Sequence, residues 1–292
     1  MKTKAFIYII IAGILWGTSG IFVHYLAPYG FTSLQMTAVR GLVSFICMAA
    51  FALIRDRSLF KIKPRELIFF IGIGLSLFLT ASLYYTSMQM TSVSTAVVLM
   101  YMAPVYVMIF SVLFLGERFS KLKFISVASM LFGCCLVSGI IGGAKFHLLG
   151  LILGFLSGLT YAAYNVLTKI AIKRGSNAIS VTVYGFLVMT LVALCVSKPW
   201  QIVTTAARAP LATVPLLVGL GVFTFVMPYL LYTLAMCELP AGTASALSIV
   251  EPMAATVFSV VIFHETLGIA SACGIILILL AVFLLGKAEG KQ

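Results

Sequence analysis

Residues 84–117 read YYTSMQMTSVSTAVVLMYMAPVYVMIFSVLFLGE, and residues 232–265 read YTLAMCELPAGTASALSIVEPMAATVFSVVIFHE. Laid over one another at an offset of 148 without a gap, about ten of the 34 pairs are identical. They include Tyr84 with Tyr232, Thr95 with Thr243, Pro104 with Pro252, Phe110-Ser111-Val112 with Phe258-Ser259-Val260, and Glu117 with Glu265. Apolar composition alone gives fewer matches, so the pattern points to an internal duplication. Near the starts of the halves, Gly13 and Gly17 match Gly154 and Gly158 at a slightly different offset. The two units divide the 292 residues at 1–144 and 145–292.

Each unit is too apolar for water. The chain is 62% hydrophobic and 9% charged, with a mean hydropathy of +1.18, whereas a soluble domain carries roughly a quarter charged residues. Disorder is excluded as well, because it needs low hydrophobicity and high charge density. Ten apolar stretches lie between polar breaks, near 5–27, 31–54, 66–88, 93–115, 123–141, 148–172, 178–197, 211–237, 241–263 and 266–286. Each is near the 20 or so residues that a spanning helix needs. The remainder, shared among tails and short loops, leaves no room for a soluble catalytic or nucleotide-binding domain. The expected fold is therefore an all-α membrane protein of ten transmembrane helices, five in each unit. Breaks as short as Pro28-Tyr29-Gly30 and Glu238-Leu239-Pro240 make neighbouring helices antiparallel hairpins.

Charge gives the orientation. With the N-terminus cytoplasmic, fifteen of the nineteen Lys and Arg residues fall on cytoplasmic segments. Only Lys145, Lys198 and Arg208 fall on the other side, and Arg40 lies within a helix. That bias follows the positive-inside rule and places both termini in the cytoplasm. It also explains the net charge of +12 as topology and attraction to anionic lipid, not as a nucleic-acid surface. Lys2 and Lys4 before an apolar run resemble a signal peptide, but no clean cleavage site follows, and the run is expected to stay as the first span. Because five is odd, the second unit enters the membrane upside down. Glu117 and Glu265 then sit on opposite sides, at helix ends where capping or loop pairing is expected. Inverted repeats are typical of secondary transporters, whose substrate site lies between the halves near the midplane.

Two ionisable groups lie deep in the spans. Glu251 is ten residues into the ninth span, about 15 Å at the helical rise, the middle of a hydrocarbon core about 30 Å thick. Arg40 is at similar depth in the second. Such groups face a cavity or a partner. Glu251 precedes Pro252, which cannot donate to the Ser248 carbonyl. A free carbonyl, the Ser248 hydroxyl and the carboxyl are thus expected close together. Glu251 can carry a proton, anchor a cation or serve structurally. Arg40 can clamp a carboxylate or phosphate through two parallel bonds, or pair with Glu251.

Around them at mid-depth stand Trp16, Tyr84, Tyr85, Tyr101, Tyr161, Tyr164, Asn165, Tyr229 and Tyr232. Tyr161 with Tyr164, and Tyr229 with Tyr232, share helix faces. They can line an amphipathic pocket or simply pack. The residues expected to meet substrate are Trp16, Arg40, Tyr84, Tyr85, Tyr101, Tyr161, Asn165, Tyr232, Ser248 and Glu251. The runs Gly13 to Gly17 and Gly150 to Gly154 to Gly158 allow close helix approach.

Other chemistry finds little support. The six cysteines all fall inside spans, without disulfide or metal-ligand spacing. Gly17-Thr18-Ser19-Gly20 spells the string of intramembrane serine proteases, but no base is placed within reach of the serine. No phosphate-binding Gly-x-x-x-x-Gly-Lys-Ser/Thr string exists. No catalytic residue, cofactor or obligate protein partner is implied.

The doubled five-span unit, Trp16-Gly17, Ala103-Pro104 leading to Leu115-Gly116-Glu117, and Glu251-Pro252 leading to Glu265 resemble the EamA-type transporters of the drug/metabolite transporter superfamily. The resemblance spans nearly the whole chain. It implies two inverted halves around a central cavity, and commonly export of amino acids, other metabolites or toxic compounds across a bacterial inner membrane. Three positions depart from the pattern. His264 stands where the family usually has glycine, Ser157 replaces a tryptophan matching Trp16, and Ala103 occupies the position paired with Glu251. The carboxylate is therefore present in one half only. The expected function is alternating-access export of a small zwitterionic or amphipathic metabolite such as an amino acid, with Glu251 as a site of proton coupling. The rival readings are an exporter of lipophilic cations, which places Arg40 outside the pocket, and a sensor or scaffold without flux, which needs no continuous cavity.

Overall fold

The computed structural model describes residues 2–91, 93–117, 120–138, 147–264 and 268–290, and within them regular structure is entirely helical. Glu265, Arg118 and Lys145 lie outside the described residues. Among the described residues, nine helical runs are long and apolar enough to cross a membrane. The stretch expected as the fifth span, 123–141, falls on the helix α7 below, which is described over Lys121–Ser138 and is not one of the nine. Their outward faces carry large apolar side chains, with Ile54 87%, Leu211 94% and Ile269 85% exposed. A water-soluble surface does not present apolar area on this scale.

In chain order the helices are α1 (Lys2–Gly17), α2 (Ser19–Leu26), α3 (Ser33–Arg55), α4 (Pro64–Met90), α5 (Val93–Met100), α6 (Ala103–Phe110), α7 (Lys121–Ser138) and α8 (Leu148–Lys173). There follow α9 (Ala178–Val196), α10 (Pro199–Ala206), α11 (Pro210–Gly221), α12 (Met227–Glu238), α13 (Ala241–Leu247), α14 (Val250–Phe263) and α15 (Ile269–Gly290). Several spans are broken helices. The first breaks at Thr18, whose hydroxyl donates to the Leu15 carbonyl at 2.7 Å. The fourth breaks ahead of Pro104 and the ninth ahead of Pro252, as a ring without an N–H requires. Two π-helical turns, Ser111–Leu115 and Val222–Val226, follow α6 and α11.

The local ends are well specified. Thr32 and Gln35 exchange bonds at the start of α3, with the Gln35 amide donating to Thr32 Oγ1 at 3.3 Å and the Thr32 amide to Gln35 Oε1 at 2.9 Å. Asn177 caps α9 through the Ile179 amide at 2.9 Å, after a turn at Gly175 with φ +94°. Helix α10 was not among the sequence expectations. It carries Trp200 and Val203 outward, 64% and 69% exposed, while Ile202 packs with Leu26 and Leu217 in a second small core.

Packing is organised between the halves. Helix α4 lies along α8 and α9, and α5 and α6 rest on α8. Correspondingly, α12 lies along α1, α11 and its π-helical turn pack on α3, and α13 and α14 rest on α1. Helix α3 pairs with α9, and α7 with α15. Exchanging each helix for its counterpart five spans away leaves this set of contacts unchanged. The close crossings depend on glycine. A Cβ on Gly17 would stand 2.8 Å from Ala254 Cβ, and one on Gly158 would stand 2.8 Å from the Leu99 carbonyl oxygen.

Candidate functional site

A cavity of about 530 Å³ begins at the breaks of the first, fourth and ninth spans and runs to the end of the bundle marked by Val23, Ser33 and Met88. Trp16, Arg40, Tyr84, Tyr85, Tyr101, Tyr161 and Glu251 line it. Asn165, Tyr232 and Ser248 do not; each is buried beside it. The wall also includes Thr80, Thr224, Phe225 and Tyr229. Tyr229, expected at this depth but not among the substrate contacts, is part of the wall. Thr224 and Phe225 sit in the π-helical turn before Pro228, a wider turn that shifts side-chain register and leaves no periodic signal in the sequence. Thr80 is one turn from Tyr84 on the same face of α4.

Arg40 is 5% exposed. Its Nη2 donates to the Tyr85 hydroxyl at 2.5 Å and to Thr37 Oγ1 at 3.4 Å. The guanidinium lies 5.2 Å from the Phe225 ring centre and 5.6 Å from that of Tyr85. Its hydrogen bonds go to Tyr85 and Thr37. The Nε group is buried with no partner. The Tyr101 hydroxyl stands against the Glu251 carboxyl in the same wall. Buried polar groups normally find partners, and Arg40 Nε is left without one in the cavity wall.

The expectation of a free carbonyl at Ser248 is corrected. Glu251 N donates to that oxygen at 2.9 Å, and the Ser248 hydroxyl donates back to the Ser245 carbonyl at 2.7 Å. The chain tightens to i to i+3 bonding at the break and so satisfies the group that Pro252 cannot.

Below the cavity lies an aromatic floor. Trp16 packs edge-on against Tyr229, with ring centres 5.1 Å apart, and lies 5.4 Å from Tyr232. Tyr161 and Tyr164 stack at 6.0 Å. Asn165 Nδ2 donates to the Tyr161 carbonyl at 2.7 Å, and the Tyr232 hydroxyl donates to Asn165 Oδ1. Tyr84 and Tyr232 are equivalent in the repeat, yet one lines the cavity and the other is sealed in its floor.

Beyond the floor, polar groups tie down the opposite end of the bundle. Lys169 Nζ donates to the carbonyls of Met236 and Leu239 at 2.5 and 2.7 Å, which satisfies the last turn of α12. Glu117 Oε1 accepts the Ala241 amide at 3.0 Å, and Lys173 Nζ donates to the Leu115 carbonyl at 2.9 Å. Both of the latter bonds join one half to the other. Lys169 is buried; its place in a Lys-rich helix end gave no sign of that.

Among the described residues no group of His, Cys, Asp or Glu could hold a metal ion. Residues 3–139 and 148–287 each match the EamA-like transporter family. An uncharacterized transporter of Archaeoglobus fulgidus is 30% identical over 291 residues, covering 94% of each chain. The uncharacterized transporter YwfM of Bacillus subtilis is 24% identical over 291 residues, covering 98% of this chain and 95% of its own. A solved crystal structure superposes with a TM-score of 0.78 at 18% identity, covering 97% of this chain and 96% of that one, a likeness of fold alone.

Proposed function

This chain belongs to the EamA-like transporter family, and on that footing we propose that it exports small zwitterionic, amphipathic metabolites such as amino acids by alternating access. Two inverted five-helix halves, ten spans in all, rock about the central cavity. The basic end of the bundle faces the cytoplasm of a bacterial cell.

One observation carries the substrate class. Arg40, with a buried and unpartnered Nε, and Glu251 with the facing Tyr101 hydroxyl occupy walls of one aromatic cavity. A carboxylate fits the first, an ammonium the second, and an apolar side chain the rings of Trp16, Phe225 and Tyr229. Glu251 is the proton-coupling residue, since a carboxyl exposed to the cavity can exchange a proton or a cation. Arg40 in the cavity wall argues against an exporter of lipophilic cations, which has no use for a guanidinium there. A continuous cavity likewise argues against a sensor without flux.

Counterflow of amino acids in proteoliposomes tests the reading. Exchange of an aromatic or aliphatic amino acid is expected, and its absence for every amino acid would remove the substrate claim. Glu251→Gln is expected to abolish transport driven by a pH gradient while leaving counterflow measurable. Unchanged gradient-driven transport would make the carboxyl structural.

A further inference from the structure

At the basic end, away from the substrate cavity, a second pocket of about 490 Å³ lies between the turn that follows α3 and the turn that joins α8 to α9. Its charged lining is Lys61, Lys63, Arg65 and Arg174 against Asp56 and Glu66. Both carboxylates are already engaged. Asp56 accepts the Ser58 amide at 2.8 Å and the Ser58 hydroxyl at 2.5 Å, and that hydroxyl and amide hold its carboxyl below the usual carboxylate range. Glu66 accepts the Lys63 amide at 2.7 Å and the Ser176 hydroxyl at 2.5 Å. Lys61 and Lys63 act on these carboxylates through charge, and each carboxylate oxygen already accepts one hydrogen bond. Arg174 is held over the Phe69 ring at 4.9 Å, which leaves its fork of donors directed to other partners.

The lining thus keeps two positive charges in excess. The pocket sits where helices leave the apolar layer, beside Ile54, Leu67 and Ile68, which are 87%, 45% and 72% exposed. We propose that this pocket binds the phosphate of an anionic phospholipid headgroup, with the acyl chains lying along the exposed start of α4. A phosphodiester supplies the acceptor oxygens that Arg and Lys donors match, and basic pockets on this face of a membrane protein suit such headgroups. The four cations come from both halves, three from residues 61–65 and one from Arg174, so a bound headgroup bridges them. The site does not depend on the identity of the transported substrate.

The test uses the full-length protein, purified and stripped of lipid in detergent. Melting temperature and native mass spectra are read with short-chain phosphatidylglycerol, with phosphatidylcholine of the same chain length, and with inorganic phosphate. Phosphatidylglycerol is expected to raise the melting temperature and to appear as a retained adduct, while phosphatidylcholine does neither. Lys63→Gln with Arg174→Gln is expected to weaken that binding about tenfold or more, from the loss of charge-assisted bonds. Lys121→Gln, on the same face but outside the pocket, should bind as the parent does. An equal effect from inorganic phosphate would replace the lipid by a soluble anion and overturn the lipid assignment. Full phosphatidylglycerol binding by the double variant would overturn the site itself.

Discussion

The carboxylate of Glu117 receives the backbone amide of Ala241 at 3.0 Å, so the end of the fourth span holds the start of the ninth. The bond couples the two halves at the end that is closed below the cavity. A carboxylate at a helix start satisfies a free amide and complements the helix dipole. If the halves rock as proposed, this end opens and the bond breaks. Glu117→Ala is expected to cost about 1 kcal/mol of stability in the closed arrangement and to favour opening at the basic end. Cysteines placed at that end should become more reactive to a water-soluble maleimide in the variant. Equal labelling in both proteins would show that the bond is a cap without influence on the gate.

His264 holds a left-handed conformation, φ +55°, at the position where the first half has Gly116 at φ +65°. A residue with a Cβ loses roughly 1–2 kcal/mol there, while glycine gives back roughly 0.5–1 kcal/mol through the entropy of the unfolded chain. Strain wins, and His264→Gly is expected to stabilise by about 0.5–1 kcal/mol. His264→Ala keeps the strain and should not gain. Detergent melting curves of the two variants separate these outcomes.

The repeat at an offset of 148 carries this equivalence in the sequence itself, as it does the pairing of Pro104 with Pro252 at two helix breaks. Apolar length placed nine of the expected spans to within a few residues, for example Pro64–Met90 against an expected 66–88. The cavity was legible where chemistry is costly in a membrane: Arg40 and Glu251 could not face lipid, and aromatic rings with hydroxyls clustered at their depth. What escaped were features decided by neighbours. Tyr232 and Asn165 share the residue types and depth of the lining groups, but they are paired with each other in the floor. Which of Tyr84 and Tyr232 meets the cavity depends on which end of the bundle is open, and residue type and depth are the same for both. Thr224 entered the wall through a π-helical turn, and Lys169 was buried by carbonyls that no side-chain pattern announces.

Glycines at the crossings should divide by what they touch. A Cβ at Gly158 would meet the carbonyl oxygens of Leu99 and Met100 at 2.8 and 3.1 Å, and one at Gly17 would meet Ala255 N at 2.9 Å as well as Ala254 Cβ. Backbone cannot step aside cheaply. At Gly72 the corresponding contact is the end of Leu167, Cδ1 at 2.9 Å, which can rotate away. Gly17→Ala and Gly158→Ala are expected to cost about 1–3 kcal/mol each, and Gly72→Ala much less. Comparable losses at all three in melting experiments would mean that crowding alone, whatever its source, decides the cost.

Arg40 gives the sharpest separation of binding from structure. Its Nη2 is committed to Tyr85 and Thr37, while Nε is buried and unpartnered. Lysine keeps the charge but not the planar fork. If the guanidinium receives the substrate carboxylate, Arg40→Lys is expected to weaken amino-acid binding about tenfold or more. The same variant should bind the corresponding amine, which lacks the carboxylate, as the parent protein does. Tyr85→Phe removes one anchor of the guanidinium without touching its charge, and its effect should be smaller and in the same direction. Ligand-induced melting shifts with the acid and amine forms read all three cases. Equal weakening of acid and amine in Arg40→Lys would mean that Arg40 shapes the cavity wall and does not contact the carboxylate.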